Sequence, residues 1–151
     1  MSDLSPEDFE KIRNGTRTSF RFVENTGIDL LEYGRGRAKL MMPLEGNVNH
    51  VGMMYAGALF TLAEIPGGTL FGSAFDTSRF YPIVGELSIR YRKPAMGDAF
   101  VVAEMSDSEI DQITSDLEEH GRAKYVLDLE ITDADGQVLA TTSGTYFGLA
   151  F

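Results

Sequence analysis

Residues Val51 to Phe75 read VGMMYAGALFTLAEIPGGTLFGSAF, and Glu64 is the one charged side chain among them. The stretch reaches the ~20 apolar residues that a membrane span needs. Its glycines, its proline and its central carboxylate suit a span poorly, and no basic anchor flanks it. A helix that is apolar all round is otherwise the buried central helix of a globular fold. Pro66 lacks an N–H, so it is predicted to kink or end the regular helix near Glu64.

On the N-terminal side, Ser5-Pro6-Glu7-Asp8 is a helix start, with Ser as cap, Pro in the first turn and acids beside it. Phe9, Ile12, Thr16, Phe20 and Val23 follow at helical spacing, and Asn14-Gly15 is a candidate break. Residues 28 to 43 turn extended, with a hairpin at Gly34-Arg35-Gly36 and Ala38, Leu40 and Met42 alternating with Arg37, Lys39 and Met41. On the C-terminal side, residues 83 to 93 alternate, with Leu87, Ile89 and Tyr91 on one face and Glu86, Ser88, Arg90 and Arg92 on the other. A second extended run covers 99 to 105. A short exposed helix over 106 to 119 closes near Gly121. Tyr125 to Ile131 alternates again, Asp133-Ala134-Asp135-Gly136 is a turn, and 137 to 147 returns as its partner strand. The order predicts an α+β architecture in one domain over residues 1–151: an N-terminal helix, then a long central helix wrapped by an antiparallel sheet. Such a sheet leaves an edge and an apolar flank that a second copy would close.

Charge and composition narrow the function. The net charge of −10 argues against a nucleic-acid surface, which needs clustered cations. Two histidines, His50 and His120, cannot make a multi-imidazole zinc site, and no ligand spacing points to a carboxylate one, so no metal is expected. The absence of cysteine fits a reducing compartment. The opening MSDLSPEDFEKIR carries acids where a signal peptide has a basic region, so a cytoplasmic location is expected.

Asn49-His50-Val51-Gly52-Met53-Met54-Tyr55-Ala56-Gly57-Ala58-Leu59, running on to Leu62-Ala63-Glu64, resembles the signature of hot-dog-fold thioesterases of the phenylacetyl-CoA and 4-hydroxybenzoyl-CoA type. That family has an Asn, a glycine-containing loop, then His-Gly-Gly opening the central helix and an acid nine residues after the His. Here Tyr55 stands at the His position, Ala56 and Gly57 at the two Gly positions, and Glu64 at the acid; Asn49 precedes Tyr55 by six residues. Residues 86 to 95 and 135 to 146 also match, so the likeness spans about residues 25 to 148. Tyr-Ala-Gly departs from His-Gly-Gly, and Val84 stands where some members carry Ser or Thr.

The resemblance implies a hot-dog fold, hydrolysis of an acyl-CoA or aryl-CoA thioester without a cofactor, and a homodimer or dimer of dimers. Glu64 would act as general base on water, or as nucleophile; a structural carboxylate is the bland alternative. Amides of Gly57 and Ala56 at the helix start would meet the oxyanion, though Gly57 also suits tight packing. Asn49 would hold water or orient the thioester, or is a turn residue. Tyr55 donates a hydrogen bond or plugs the cavity. Arg90, Arg92 and Lys93 would receive the phosphates of coenzyme A, or form a solvated strand face beside Glu86. Phe60, Phe71, Phe75 and Met53 line an acyl pocket or are plain core. Two other functions remain open. His50 and Glu64, fourteen apart, resemble the pair of hot-dog hydroxyacyl dehydratases, without their Pro-Gly before the acid. A non-catalytic acyl-CoA-binding module is the third reading.

Overall fold

The computed structural model describes residues 4–151; Met1–Asp3, the start of the acidic opening, lie outside them. Helices α1 (Pro6–Thr18) and α2 (Arg21–Thr26) lead into β1 (Asp29–Gly34) and β2 (Arg37–Met42). The central helix α3 (Ala56–Ala74) follows, then β3 (Phe80–Tyr91), β4 (Ala99–Glu104), α4 (Asp107–His120), β5 (Arg122–Thr132) and β6 (Val138–Ala150). The six strands form one antiparallel sheet in the order β1-β2-β4-β5-β6-β3, curved around α3. This is the hot-dog arrangement.

Alternation makes the wrap. Ala38, Leu40 and Met42 of β2, Ala99, Val101 and Ala103 of β4, and Tyr125, Leu127 and Ile131 of β5 are buried, while their neighbours face away. They pack on a flank of α3 made by Leu59, Leu62, Ala63, Pro66, Gly67 and Leu70, which recur every three or four residues. The β1–β2 hairpin turns where expected, with Gly36 at φ 71°.

Several local expectations shift. The helix α1 runs through Asn14-Gly15, and the break comes at Ser19-Phe20, where Phe20 is extended and opens α2. The helix α4 is not merely exposed: Ile110, Ile113 and Leu117 are buried. A capping box at Ser106 and Glu109 starts it and Gly121 at φ 66° ends it. Strand β3 begins earlier, at Phe80, and a bulge between Val84 and Glu86 interrupts its pairing with β6.

The largest correction concerns Pro66, which does not end α3; the helix continues to Ala74. Proline removes the bond to the carbonyl of residue 62 and loosens that turn. Two buried phenols brace the neighbouring turns from below: the Tyr146 hydroxyl donates to the carbonyl of Glu64 (3.1 Å) and the Tyr125 hydroxyl to that of Gly67 (3.0 Å). Gly67 lets the sheet come this close, since a Cβ at that position would lie 2.0 Å from Tyr146 Cε1.

Candidate active site

Gly57, Thr61 and Glu64 are four and then three residues apart, so they share the flank of α3 turned away from the sheet. With Phe60 and Ile65 from α3, Tyr55 just before it, and Phe20 and Phe22 from the α1–α2 junction, they wall a cavity of about 650 Å³. Glu64 is half-buried, and its carboxylate has neither a hydrogen bond nor an ion pair among the described residues. Burial, uncompensated by any cation, pushes its carboxyl above the ordinary value. Burial also raises the Tyr146 phenol, and the negative charge of Glu64 raises it further. Glu64 is therefore a desolvated, unpaired carboxyl facing an open space, which suits proton transfer near neutrality.

The helix start is poor in substitute acceptors. Tyr55 occupies the cap position without a side-chain cap bond, and the amides of Ala58 and Leu59 turn to the Tyr55 carbonyl (3.0 and 3.3 Å). The amides of Ala56 and Gly57 have no such acceptor among the described residues and carry the positive end of the helix dipole. The space above Gly57 is partly taken: a Cβ there would lie 2.4 Å from Tyr55 Cε1. Tyr55 is 60% exposed, and its ring lies over Gly57 on the cavity wall.

Asn49 lies elsewhere. Its Oδ1 accepts from the amides of Val51 (2.9 Å) and Met53 (3.1 Å), closing the loop before α3. That assignment leaves the Nδ2 group as a fixed donor. Asn49 lines a separate cleft of about 340 Å³ together with Ala56, Tyr91, Arg92 and Lys93. Arg92 and Lys93 both open onto this cleft because strand alternation stops at Tyr91, and the amides of both residues turn to the Leu139 carbonyl. Arg90 stays exposed on the strand and lines neither space. None of the three is ion-paired among the described residues, Glu86 included; Arg92 instead donates to Thr141 Oγ1 (3.1 Å).

Within one chain the sequence-named residues thus fall into two sets, divided by the first turn of α3. Glu64, Gly57 and Tyr55 face one cavity; Asn49, Ala56, Arg92 and Lys93 face another. Of the candidate pocket residues, Phe60 lines the Glu64 cavity and Met53 the basic cleft, whereas Phe71 is fully buried core with Phe75 packed against it (4.7 Å between ring centroids). His50 is exposed and lines neither. Thr61 and Asn47 were not singled out from the sequence, yet both line the Glu64 cavity. The spacing of Thr61, three before Glu64, was the available signal. Asn47 offered none, since its amide ties the loop to the carbonyls of Thr26 (2.7 Å) and Pro43 (2.8 Å) across distant sequence.

Residues 21–150 match the YiiD_C family, described as "Putative thioesterase (yiiD_Cterm)". The chain belongs to this family. It is 43% identical to a Pseudomonas aeruginosa protein described as a "Probable Thioesterase", over 95% of this chain and 96% of that one, with a TM-score of 0.90. A mutant thioesterase of the same organism shares the fold at 17% identity, with a TM-score of 0.75 and 97% of each chain covered. No curated protein matches. The likeness supports the hot-dog thioesterase reading as a class; it does not single out the phenylacetyl-CoA or 4-hydroxybenzoyl-CoA type.

Proposed function

We propose that this YiiD_C protein hydrolyses an acyl-CoA or aryl-CoA thioester, with Glu64 as the catalytic carboxylate. The observation that carries the reading is the unpaired, desolvated Glu64 on the wall of an open, largely apolar cavity. As general base, Glu64 takes a proton from water while the water oxygen attacks the thioester carbon. The resulting oxyanion is met by amides at a helix N-terminus, and collapse expels the coenzyme A thiolate. The basic cleft at Arg92 and Lys93 is suited to the nucleotide phosphates, against the general repulsion of a chain at −10.

Glu64 and Asn49 open onto different spaces of one chain, and β3 is a long edge strand with Ile83 and Val84 exposed. Following the family resemblance, we place the complete site in a homodimer, in which Glu64 of one subunit meets the Asn49–Gly57 segment of the other. Subunit complementation tests this. Glu64→Gln and Asn49→Asp, the latter keeping the Oδ1 acceptor but losing the Nδ2 donor, are each expected to be nearly inactive on acyl-CoA. Mixed dimers, made by co-refolding, should regain about a quarter of wild-type activity, because half the dimers are hybrid and each holds one intact site. Mixing without any gain would put both residues in one chain's site. Thiol release from acyl-CoA by the wild type distinguishes hydrolysis from non-catalytic binding.

A further inference from the structure

Beside the Glu64 cavity lies a second space, an open groove of about 670 Å³ bordered by α1, α3 and β1. The two share Phe20 and Ile65 as a common wall, so they lie end to end along the outward flank of α3. The floor of the groove on α3 is kept bare by Gly68 and Gly72. We infer that the two cavities together form the acyl channel of a medium-chain thioester, with the Phe20 ring as a partition between its near and far halves. The inference rests on the thioesterase reading of the Glu64 site and adds its substrate class.

The far half is less polar than its composition suggests. The hydroxyls of Thr16, Ser19 and Thr69 donate to the carbonyls of Ile12 (3.0 Å), Thr16 (3.3 Å) and Ile65 (3.1 Å), which turns the threonine methyls outward. Gly68 and Gly72 keep the side of α3 open: a Cβ at Gly68 would touch only Pro82 Cγ at 3.8 Å. Tyr33 closes the end, its hydroxyl 3.4 Å from where a Gly72 Cβ would stand. The roof is fixed, since Arg13 of α1 grips Asp29 of β1 with two bonds of 2.7 and 2.6 Å. Phe20 is different. It sits at the α1–α2 junction with its side chain 54% exposed, so its ring can swing without opening the core.

Length follows from geometry. Eight residues of helix separate Glu64 from Gly72, a rise of about 12 Å. A zigzag of ~1.5 Å carbon–carbon bonds advances about 1.3 Å per atom, so the channel takes an acyl chain of roughly nine or ten carbons.

The test is a series of straight-chain acyl-CoA substrates from butanoyl to dodecanoyl, read as kcat/KM by thiol release. Wild type should improve towards decanoyl, by up to about fourfold per buried methylene. Gly68→Leu fills the far half and should lower the ratio of decanoyl to butanoyl hydrolysis at least tenfold. Phe20→Ala removes the partition and should raise decanoyl relative to butanoyl. A chain-length profile unmoved by both substitutions overturns the channel, as does a wild type that prefers butanoyl. Calorimetric binding of the non-hydrolysable thioether decyl-CoA separates the two layers of the argument. If wild type binds it and Gly68→Leu does not, yet no chain is hydrolysed, the channel stands and the thioesterase reading falls. Equal binding by both overturns the channel.

Discussion

Replacing Glu64 with glutamine changes almost no volume and removes one charge, so it tests catalysis and folding together. The carboxylate has no hydrogen bond or ion pair among the described residues, and burial alone raises its pKa. Loss of a positioned base should lower turnover on the order of 100-fold or more. The same substitution should stabilise the fold. An unpaired polar group costs several kcal/mol when fully buried; Glu64 is only half-buried, which reduces the gain to about 1 kcal/mol, or about 2–4 °C in Tm.

The pH dependence fixes the sign. The folded pKa of Glu64 lies above its ordinary value of 4.5, so between the two the folded state binds the extra proton. Wild-type stability from this group is fully present below the ordinary value and is lost as pH rises through the folded one. Glutamine does not titrate there. Melting curves of the two proteins should therefore coincide in acid and separate towards pH 8, with Glu64→Gln the more stable. Wild-type hydrolysis should fall as pH drops through the raised pKa, because a protonated carboxyl is no base. A folded Glu64→Gln variant with near-normal thiol release would refute the catalytic role. One that melts below wild type at pH 8 would show that a partner stabilises the charge, and the argument from an unpaired carboxyl would fail.

Two further outcomes follow from contacts elsewhere. Gly67→Ala drives a methyl group into Tyr146, which is 2% exposed and stacked on Tyr125 at 5.3 Å between ring centroids, so overpacking should lower Tm by on the order of 5 °C or more; an unchanged Tm would mean that α3 can lift off the sheet. Removing Arg92 and Lys93 together should raise KM for acyl-CoA far more than it lowers kcat, and should blunt the salt sensitivity of KM; an unchanged KM would leave the cleft without a role in phosphate capture.

The middle of the sheet was legible because β2, β4 and β5 obey a two-residue period that only a half-buried strand needs: Ala38, Leu40 and Met42 are enough to orient β2. Helix limits were legible at Ser5 and Gly121, where side-chain capping and a positive φ are local chemistry. Pro66 does not end α3, and part of what holds the helix there is Tyr146, eighty residues downstream, which no local window contains. Arg90 misled for a related reason. Alternation assigns it to the face of Arg92, but the strand ends between them, where the amides of Arg92 and Lys93 both turn to the one carbonyl of Leu139. Glu64 stood out as the lone charge in its helix. Asn49 and Glu64 open onto different spaces of one chain, as a site shared between two subunits requires.

The same helix explains why its sequence shows so little amphipathic contrast. One flank, Leu59, Leu62, Ala63, Pro66 and Leu70, is apolar because it packs on the sheet. The other, with Phe60, Ile65, Gly68 and Gly72, borders the two cavities, and an acyl chain requires a wall as apolar as a core does. Both demands remove charge, so Glu64 is left alone. The glycines of the second flank cost about 1 kcal/mol each in helix propensity. A helix carrying them and a proline is held by packing and by the two phenol hydroxyls beneath it. Substitutions on the cavity flank can therefore reshape the channel without unfolding α3, whereas those on the sheet flank cannot be made without disturbing the support on which Glu64 stands.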